Sequence, residues 1–514
     1  MPNSQEPEID TDLCIVGAGP AGISIARALA DSGARICLLE SGGPDVERGA
    51  QRLNRGEIDG YPLHQLHESR VRAFGGTLRH PRVLSGGGWL ARPLDPIDFE
   101  TRPGRPDFGW PFDRDHLMPY YVRAQRDCGL APYDLVNGDP TSDGRPALPV
   151  QDEEIVPTLF QVCEADFRDA LQTFTNTPNV QVLLHSRVAD IRTDPSGRRI
   201  DSITAVRDDR SRVVVRPRVV VLAAGGIENT RLLLTADGGK GLGNEHDLVG
   251  RYFAERMALP VGHLVLAGSH TVDDAGFFAR RNDATGAIRI AESVQRDKGL
   301  LNCSFSLVPR PAAVATPALR SLSTLRKAIG RRPRIDGIGL HLRNVVTGLP
   351  DIADVALGKV MSRPSTLMLR AHGEHSPNSR SRVSLGSRRD DLGIPVARVT
   401  WRPPEEDFES LRTSVGILDA AFRTAGFGYV EPLFDEVPAT LVEGNHHHMG
   451  TTRMNVDPCK GVVDADARVH SVANLYVTGA SVFPTYGASN PTMTVVALAL
   501  RLADHLRGVL GPGR

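Results

Sequence analysis

The stretch Asp12-Leu13-Cys14-Ile15-Val16-Gly17-Ala18-Gly19-Pro20-Ala21-Gly22 decides the first half of the fold. Residues 13–16 are apolar without alternation, as expected of a strand covered on both faces. Gly17, Gly19 and Gly22 follow at Gly-x-Gly-x-x-Gly spacing. Residues 21–29 carry a helical pattern that Gly33 ends, and residues 35–39 read as a second strand. The glycines have separate tasks. Gly17 permits the tight turn, Gly19 lets the backbone approach a pyrophosphate, and Gly22 lets helix and strand pack closely. The helix, opened by Pro20 and Ala21, then faces the phosphates with free N–H groups. Glu40 closes the second strand about twenty positions past the last glycine, with Ser41 beside it. A carboxylate there accepts hydrogen bonds from ribose hydroxyls and repels a 2′-phosphate. The bland alternative is an incidental glycine turn, and the strand–turn–helix–strand–Glu order argues against it. The unit is a dinucleotide site in an α/β layer. NAD and FAD share the signature, so the residues of this unit leave that choice open.

Working outward, 514 residues are too many for one ordinary core, and two domains are expected. The 60 basic and 61 acidic side chains nearly cancel, so bulk charge attracts neither nucleic acid nor a membrane surface. The six cysteines show no Cys-x-x-Cys spacing, and Cys14 and Cys37 lie in apolar runs, which suits buried free thiols. Residues 1–10 lack the basic start and apolar run of a secretory signal. No apolar stretch reaches the length of a membrane span. The expectation is a cytoplasmic protein with no nucleic-acid or membrane partner.

Residues 70–125 are rich in Gly and Pro and read as a long excursion over the cofactor. Residues 163–173 look helical, 180–184 form a strand, and 200–206 and 212–215 alternate like paired strands. A further buried strand, 219–222, runs into Ala223-Ala224-Gly225-Gly226 and a helix from Glu228. The texture changes over 255–445. Alternating segments at 262–266, 300–308 and 338–345 suggest a mainly antiparallel sheet with helices on one side. Residues 310–335 are basic and Pro-rich, as in an exposed loop or short helix. Residues 408–425 and 493–506 read as helices, and 475–477 as a buried strand. The expected fold is a Rossmann-like α/β domain plus an α+β substrate domain with a mainly antiparallel sheet. The first domain takes 1–254 and 446–514, and the second takes 255–445.

Near the C-terminus stand Asn445-His446-His447-His448-Met449-Gly450-Thr451-Thr452-Arg453-Met454 and Tyr486-Gly487-Ala488-Ser489-Asn490-Pro491-Thr492. With Phe74-Gly75-Gly76-Thr77, Pro93-Leu94-Asp95-Pro96-Ile97-Asp98-Phe99 and Asn244-Glu245-His246-Asp247-Leu248-Val249-Gly250-Arg251, the chain resembles the glucose–methanol–choline (GMC) oxidoreductases. The resemblance runs nearly the whole length and is nearer the short bacterial members than the long fungal oxidases. It implies FAD as cofactor, His447 as catalytic base and Asn490 as its partner. It also implies that Gly75, Gly76 and Thr77 lie along the isoalloxazine and that the Arg187-Val188 backbone meets the adenine. Ala223, Ala224 and Gly225 would pass the pyrophosphate and ribose, and Gly479, Ala480 and Ser481 would approach from the C-terminal strand.

The chemistry suits those residue types. Oxidising an alcohol removes a hydroxyl proton and transfers a hydride from the same carbon. A neutral imidazole takes the proton, an amide N–H of Asn490 holds the oxygen, and the flavin accepts the hydride. Asn490-Pro491 also reads as a helix start, with Asn as cap and Pro first. Both readings hold together if the helix from Thr492 aims its positive end at the flavin's pyrimidine edge. The three consecutive histidines cannot easily face one point, and His372-x-Glu374-His375 is a poor ligand set, so no metal is expected. His446 and His448 read as packing or supporting groups, with His448 also a candidate substrate contact. Some sugar-oxidising members attach flavin to a His shortly after the Gly-Gly pair. Here His80 is followed by Pro81-Arg82-Val83-Leu84-Ser85, an interruption of the usual stretch. Non-covalent FAD is therefore expected, with His80 a pocket or loop residue.

The substrate is less legible. Glu374-His375-Ser376-Pro377-Asn378 resembles a segment of the short bacterial branch, which includes aminoglycoside 6′-dehydrogenases. If Glu374, Asp435, Glu436 and Glu443 converge, they suit a polyhydroxylated, cationic substrate; otherwise they are solvated surface acids. The leading expectation is a paromamine-like compound oxidised at its 6′-hydroxyl, followed by neutral sugars. The electron acceptor is oxygen or an unidentified carrier. Two competing readings are an NAD-dependent dehydrogenase and a flavin-binding protein without catalysis, the second disfavoured by retention of both His447 and Asn490.

Overall fold

The structure is a computed structural model that describes residues 7–131, 146–268, 270, 272–280, 284–308, 318, 321–322, 325, 338–356, 366–433, 443–444 and 446–511. The first strand, Glu8–Val16, pairs in parallel with Ile36–Leu39 on one side and Arg212–Leu222 on the other. Val180–Leu183 extends the parallel set beyond Ile36–Leu39. Arg212–Leu222 changes its outer partner halfway. Its first half pairs antiparallel with Ile200–Arg207, up to Ile203↔Val215, and its second half pairs in parallel with Leu475–Val477, from Leu475↔Val220. Pro217, which has no N–H to give, falls in the gap between these partners. The segments 212–215 and 219–222, expected as two strands, are therefore one. Ser186–Thr193 completes the sheet beside Ile200–Arg207. The helices Pro20–Leu29 and Thr492–Leu510 bury their apolar faces in the same core as this sheet.

The second sheet is antiparallel throughout. It runs Gly428–Pro432, Met257–Leu266, Thr366–Gly373, Cys303–Val308, Ala284–Ile290, Ile155–Cys163 and Trp89–Ala91, with Glu443–Gly444 also on Met257–Leu266. Its last two strands precede residue 255, so the sheet draws on chain outside 255–445. The helix Glu405–Thr424 opens with Glu405, Glu406 and Asp407, which suit the positive end of its dipole, and buries Leu411, Val415, Leu418 and Phe422 against this sheet's core.

Three expectations need correction. The Gly- and Pro-rich stretch contains a helix, Arg114–Asp127, whose first turn is capped by Asp113 accepting the His116 N–H at 2.9 Å. It docks on the C-terminal helix, where the Tyr121 and Thr494 hydroxyls share a 2.8 Å hydrogen bond. Over 163–173 a strand ends at Cys163 and only Ala170–Thr175 is helical. Residues 338–345 lie in a helix, Ile338–Thr347, not a strand. Ile338, Leu342 and Val346 recur every four residues, so a short apolar run fits either period. Residues 310–335 lie almost wholly outside the described residues. All six cysteines are free and five are buried, Cys459 being exposed. Among the described residues no helix is long and apolar enough to cross a membrane.

Gly22 shows how closely the first helix and strand are fitted. A Cβ there would stand 2.0 Å from the Gly17 carbonyl oxygen and 3.2 Å from the Ile15 side chain. Backbone cannot yield as a side-chain end can. Gly22→Ala is expected to lower stability by about 1–3 kcal/mol and to release the cofactor. Thermal melting and bound-flavin content check this, and an unchanged pair of values would refute the packing argument.

Candidate active site

The glycine loop ends the first strand between two neighbours. Gly17 donates its N–H to Leu39 O at 2.8 Å, and Ala223 donates to Val16 O at 2.8 Å. Gly17 adopts φ +106°, and a Cβ on it would meet Ala223 O at 2.7 Å. The second glycine pair is stitched onto this loop. Gly75 donates to Ala18 O at 2.8 Å, and a Cβ on Gly76 would stand 2.9 Å from Gly19 Cα. In front of Gly19 the situation differs: a Cβ there would have no protein atom nearer than 4.0 Å. That bare backbone, at the N-terminus of Pro20–Leu29, borders a cavity of about 490 Å³. Glu40 is buried at the cavity wall, where Oε2 accepts the Ala18 N–H at 3.0 Å and Oε1 the Gly42 N–H at 2.8 Å. Burial raises its pKa against those two donors. The cradle fits a dinucleotide: backbone N–H groups, open space before Gly19, and a carboxylate at the ribose end.

The same cavity brings together most of the residues singled out from the sequence. Gly17, Gly19, Pro20, Ala21, Glu40, Ser41, Gly76, Thr77, Val188, Ala223, Ala224 and Gly225 line it from one side. Gly479, Ala480, Asn490, Pro491, Thr492, His80, His447 and His448 line it as well. Gly22 and Gly75 stand behind this wall and shape it. Asn229 ties two parts of the wall together. Its side chain accepts from the Ala224 N–H at 2.8 Å and donates to Thr478 O at 3.2 Å and Ser481 Oγ at 3.0 Å.

One dipeptide holds the end of the cavity that carries His447 and Asn490. Glu255 and Arg256 stand just before the strand Met257–Leu266. Glu255 Oε1 accepts the His447 N–H at 2.8 Å, and its Oε2 lies 3.5 Å from His448 Nε2. Arg256 donates to Asn490 Oδ1 and to Ala488 O. Arg256 and His372 also line the cavity. The Nδ1 atoms of His447 and His372 and Nε of Arg256 are buried without a hydrogen-bond partner among the described residues. Burial, then Arg256, His446, His448 and His372, hold the His447 imidazole well below its ordinary pKa. It is therefore neutral, with a lone pair to accept a proton, across the neutral range. His448 packs its ring 6.0 Å from Phe253, as a supporting group would.

Several expectations are revised. Asn490 does not cap the last helix. The helix is Thr492–Leu510 with Pro491 as its cap residue, and the Asn490 oxygen is taken by Arg256. Glu374 does not reach the cavity. It is buried, with Oε1 accepting from Arg102 at 2.7 Å and the Asn302 N–H at 3.1 Å, and Oε2 from the Gly487 N–H at 3.1 Å. A buried carboxylate needs such partners, and three donors leave it no role toward a substrate. Asp435, Glu436 and the Glu443 side chain lie outside the described residues. His80 turns Nε2 to Glu68 O at 2.7 Å, with its ring 5.0 Å from that of His446.

Sequence reasoning missed Glu228, Glu255, Arg256 and His372. Glu228, in the first turn of the helix Gly226–Gly239, meets Arg72 at 2.9 Å, Arg231 at 2.7 Å and Arg70 at 3.5 Å. Burial opposes its ionisation, but the three guanidiniums outweigh burial and hold its carboxyl well below the usual range. The signal for Glu255-Arg256 was two adjacent charges at the entry of an apolar strand, a costly place unless both are used.

Residues 12–329 match the family model of the FAD dependent oxidoreductases, and residues 377–499 that of the GMC oxidoreductases. Paromamine 6'-oxidase of Streptomyces fradiae is 24% identical over 549 residues, covering 97% of this chain and 92% of its own. The 2-methyl-1,2-propanediol dehydrogenase of Mycolicibacterium austroafricanum is 26% identical over 572 residues, covering 96% and 95%. Among solved structures, pyridoxine 4-oxidase from Mesorbium loti shares the fold, with a TM-score of 0.54 at 19% identity over 96% of this chain and 99% of its own. The flavoprotein match spans more than half of the chain and decides the cofactor that the glycine loop left open. The GMC match covers the segment that holds both His447 and Asn490, and the chain belongs to the GMC oxidoreductases, FAD-dependent enzymes acting on CH–OH donors.

Proposed function

We propose that the chain oxidises a CH–OH group of a small, sugar-like alcohol, with His447 and Asn490 at the reacting carbon. The observation that supports this most is their meeting on the cavity into which the dinucleotide loop opens. His447, neutral at the cavity wall, takes the hydroxyl proton. Asn490 gives an amide N–H to the substrate oxygen and orients the C–H bond. Gly17, Gly19, Glu40, Gly76 and Ala223 would hold FAD non-covalently, and the cofactor would supply the hydride acceptor for the carbon. Oxygen or a separate carrier then takes the electrons. The Pro491-Thr492 helix start borders the same cavity, and its positive end would favour negative charge on a group bound there.

A narrower reading takes the 6′-hydroxyl of a paromamine-type aminoglycoside, on the strength of the Streptomyces fradiae relative. The cavity does not add to it. Among the described residues, its lining carboxylates are Glu40 and Glu228. The first is occupied by backbone N–H groups and the second by arginines. A polyhydroxylated substrate without an obligatory ammonium suits such a lining better.

The test is anaerobic bleaching of the bound flavin by paromamine, glucose and a simple primary alcohol. Bleaching by any of them supports the oxidation. Bleaching by paromamine alone selects the narrower reading, and bleaching by glucose or the alcohol without paromamine rejects it. If a wider panel of polyols and primary alcohols also leaves the flavin oxidised, the proposed chemistry fails.

A further inference from the structure

Arg256 is an unusual neighbour for a reacting hydroxyl. It is 3% exposed and lines the cavity beside Asn490, His447 and His372. Among the described residues, no carboxylate lies within salt-bridge distance of its guanidinium. The adjacent Glu255 turns Oε1 to the backbone N–H groups of His447 and of Arg256 itself. The partners of the guanidinium are uncharged: Asn490 Oδ1, Ala488 O and, at 3.5 Å, Ser304 Oγ. Its Nε has none. Buried cations are ordinarily paired, because an isolated one is costly. An unpaired one at a cavity wall suits an anionic or strongly accepting group bound there.

A guanidinium has only donors, so the atom of Asn490 that faces it must be the amide oxygen. That contact fixes the flip of the amide and leaves the Asn490 Nδ2–H groups for other partners. We propose that Arg256 is the positioning residue of the oxidation: it locks the Asn490 amide with its N–H side toward the substrate, and it sets a positive charge without a salt-bridge partner beside the oxygen that loses its proton to His447. This rests on the His447 and Asn490 reading given above. It adds a preference: the group around the reacting carbon is neutral or anionic, and an ammonium placed there is repelled.

The charge also acts on the base. The groups facing His447 are Arg256 and Glu255 from the strand entry, His372 from Thr366–Gly373, and His446 and His448 from its own segment. Of the charged groups that lower the His447 pKa, Arg256 ranks first after burial. Removing the cation must therefore raise it.

Arg256→Met and Arg256→Lys would be compared with the wild type in the flavin-loaded protein. Arg256→Met is expected to slow flavin reduction about 100-fold, as loss of one preorganised donor does elsewhere. The acid limb of its pH profile should move to higher pH. Arg256→Lys, which keeps the charge, should leave the limb in place. A readout independent of turnover is the binding of acetate and of the uncharged acetamide, followed through the flavin absorbance. Acetate affinity should fall at least tenfold in Arg256→Met while acetamide affinity holds. Equal acetate binding in wild type and Arg256→Met, or an unmoved acid limb in a variant with wild-type flavin content and melting, overturns the proposal. Should Arg256→Met not fold, a limb displaced in Arg256→Lys overturns it equally, and an unmoved limb with retained acetate binding upholds it. If the wild type reduces no flavin with any alcohol, the oxidation reading fails, and the acetate comparison still decides whether the cavity holds an unpaired cation.

Discussion

His447→Ala is expected to slow flavin reduction by about three orders of magnitude while FAD stays bound. General-base catalysis contributes roughly 10²- to 10⁴-fold. The His447 main-chain N–H is anchored to Glu255 at 2.8 Å, so the backbone keeps its course without the imidazole. The flavin cradle is built from other residues, chiefly the loops at Gly17–Gly19, Gly75–Thr77 and Ala223–Gly225. His372, also on the cavity and likewise held well below its ordinary pKa by burial and by Arg256 and Arg370, sits on the strand Thr366–Gly373 and sets the residual rate of the variant. In the wild type, His447 is neutral down to well below the ordinary histidine value of about 6.5, so reduction should stay fast through neutral pH and fall only as pH drops through the lowered pKa. Stopped-flow absorbance under anaerobic conditions measures both. A His447→Ala protein that reduces its flavin at the wild-type rate removes His447 from the chemistry.

Legibility followed how local each determinant was. The glycine loop, Glu40 and the final helix declare themselves because each is a short, contiguous stretch whose pattern has one physical use. The antiparallel character of the second sheet was readable from alternation in 262–266 and 300–308, both of which fall in or across observed strands. Its membership was not, since Trp89–Ala91 and Ile155–Cys163 join it across a long sequence separation. The helix Arg114–Asp127 hid because Gly104, Gly109 and Pro119 gave its neighbourhood the texture of a loop. Asn490 showed a different failure. The pair Asn490-Pro491 satisfies every local rule for a helix cap. Only Arg256, 234 positions away in sequence, decides where the amide oxygen points. Glu374 was misplaced for the same reason: Arg102 and Gly487 come from distant segments.

The second large effect belongs to Glu228. One carboxylate here serves three guanidiniums, and it has almost no water to fall back on. Glu228→Gln keeps the shape and removes the charge. Arg231 retains Asp390 at 2.6 Å, and Arg72 retains Asn54 Oδ1 and Ser41 Oγ at 2.8 and 2.9 Å. Arg70 retains only the carbonyls of Leu66 and Asn54. Breaking a buried pair in this way leaves uncompensated charge and costs about 3–5 kcal/mol. Burial already brings the Arg70 pKa down to about 10, so the protein has little further tolerance for an unpaired guanidinium there. Because Arg70, Arg72 and Glu228 all line the cavity, the variant should also bind FAD less tightly. The pH dependence has a definite sign. The folded-state pKa of Glu228 lies below its unfolded value, so its contribution is complete above the ordinary glutamate pKa and fades as pH falls toward the folded one. Denaturant unfolding should therefore show a constant gap between wild type and Glu228→Gln at neutral pH, and a shrinking gap below about pH 4.5. A gap that widens toward acid, or none at neutral pH, would mean that the arginines do not depend on this carboxylate.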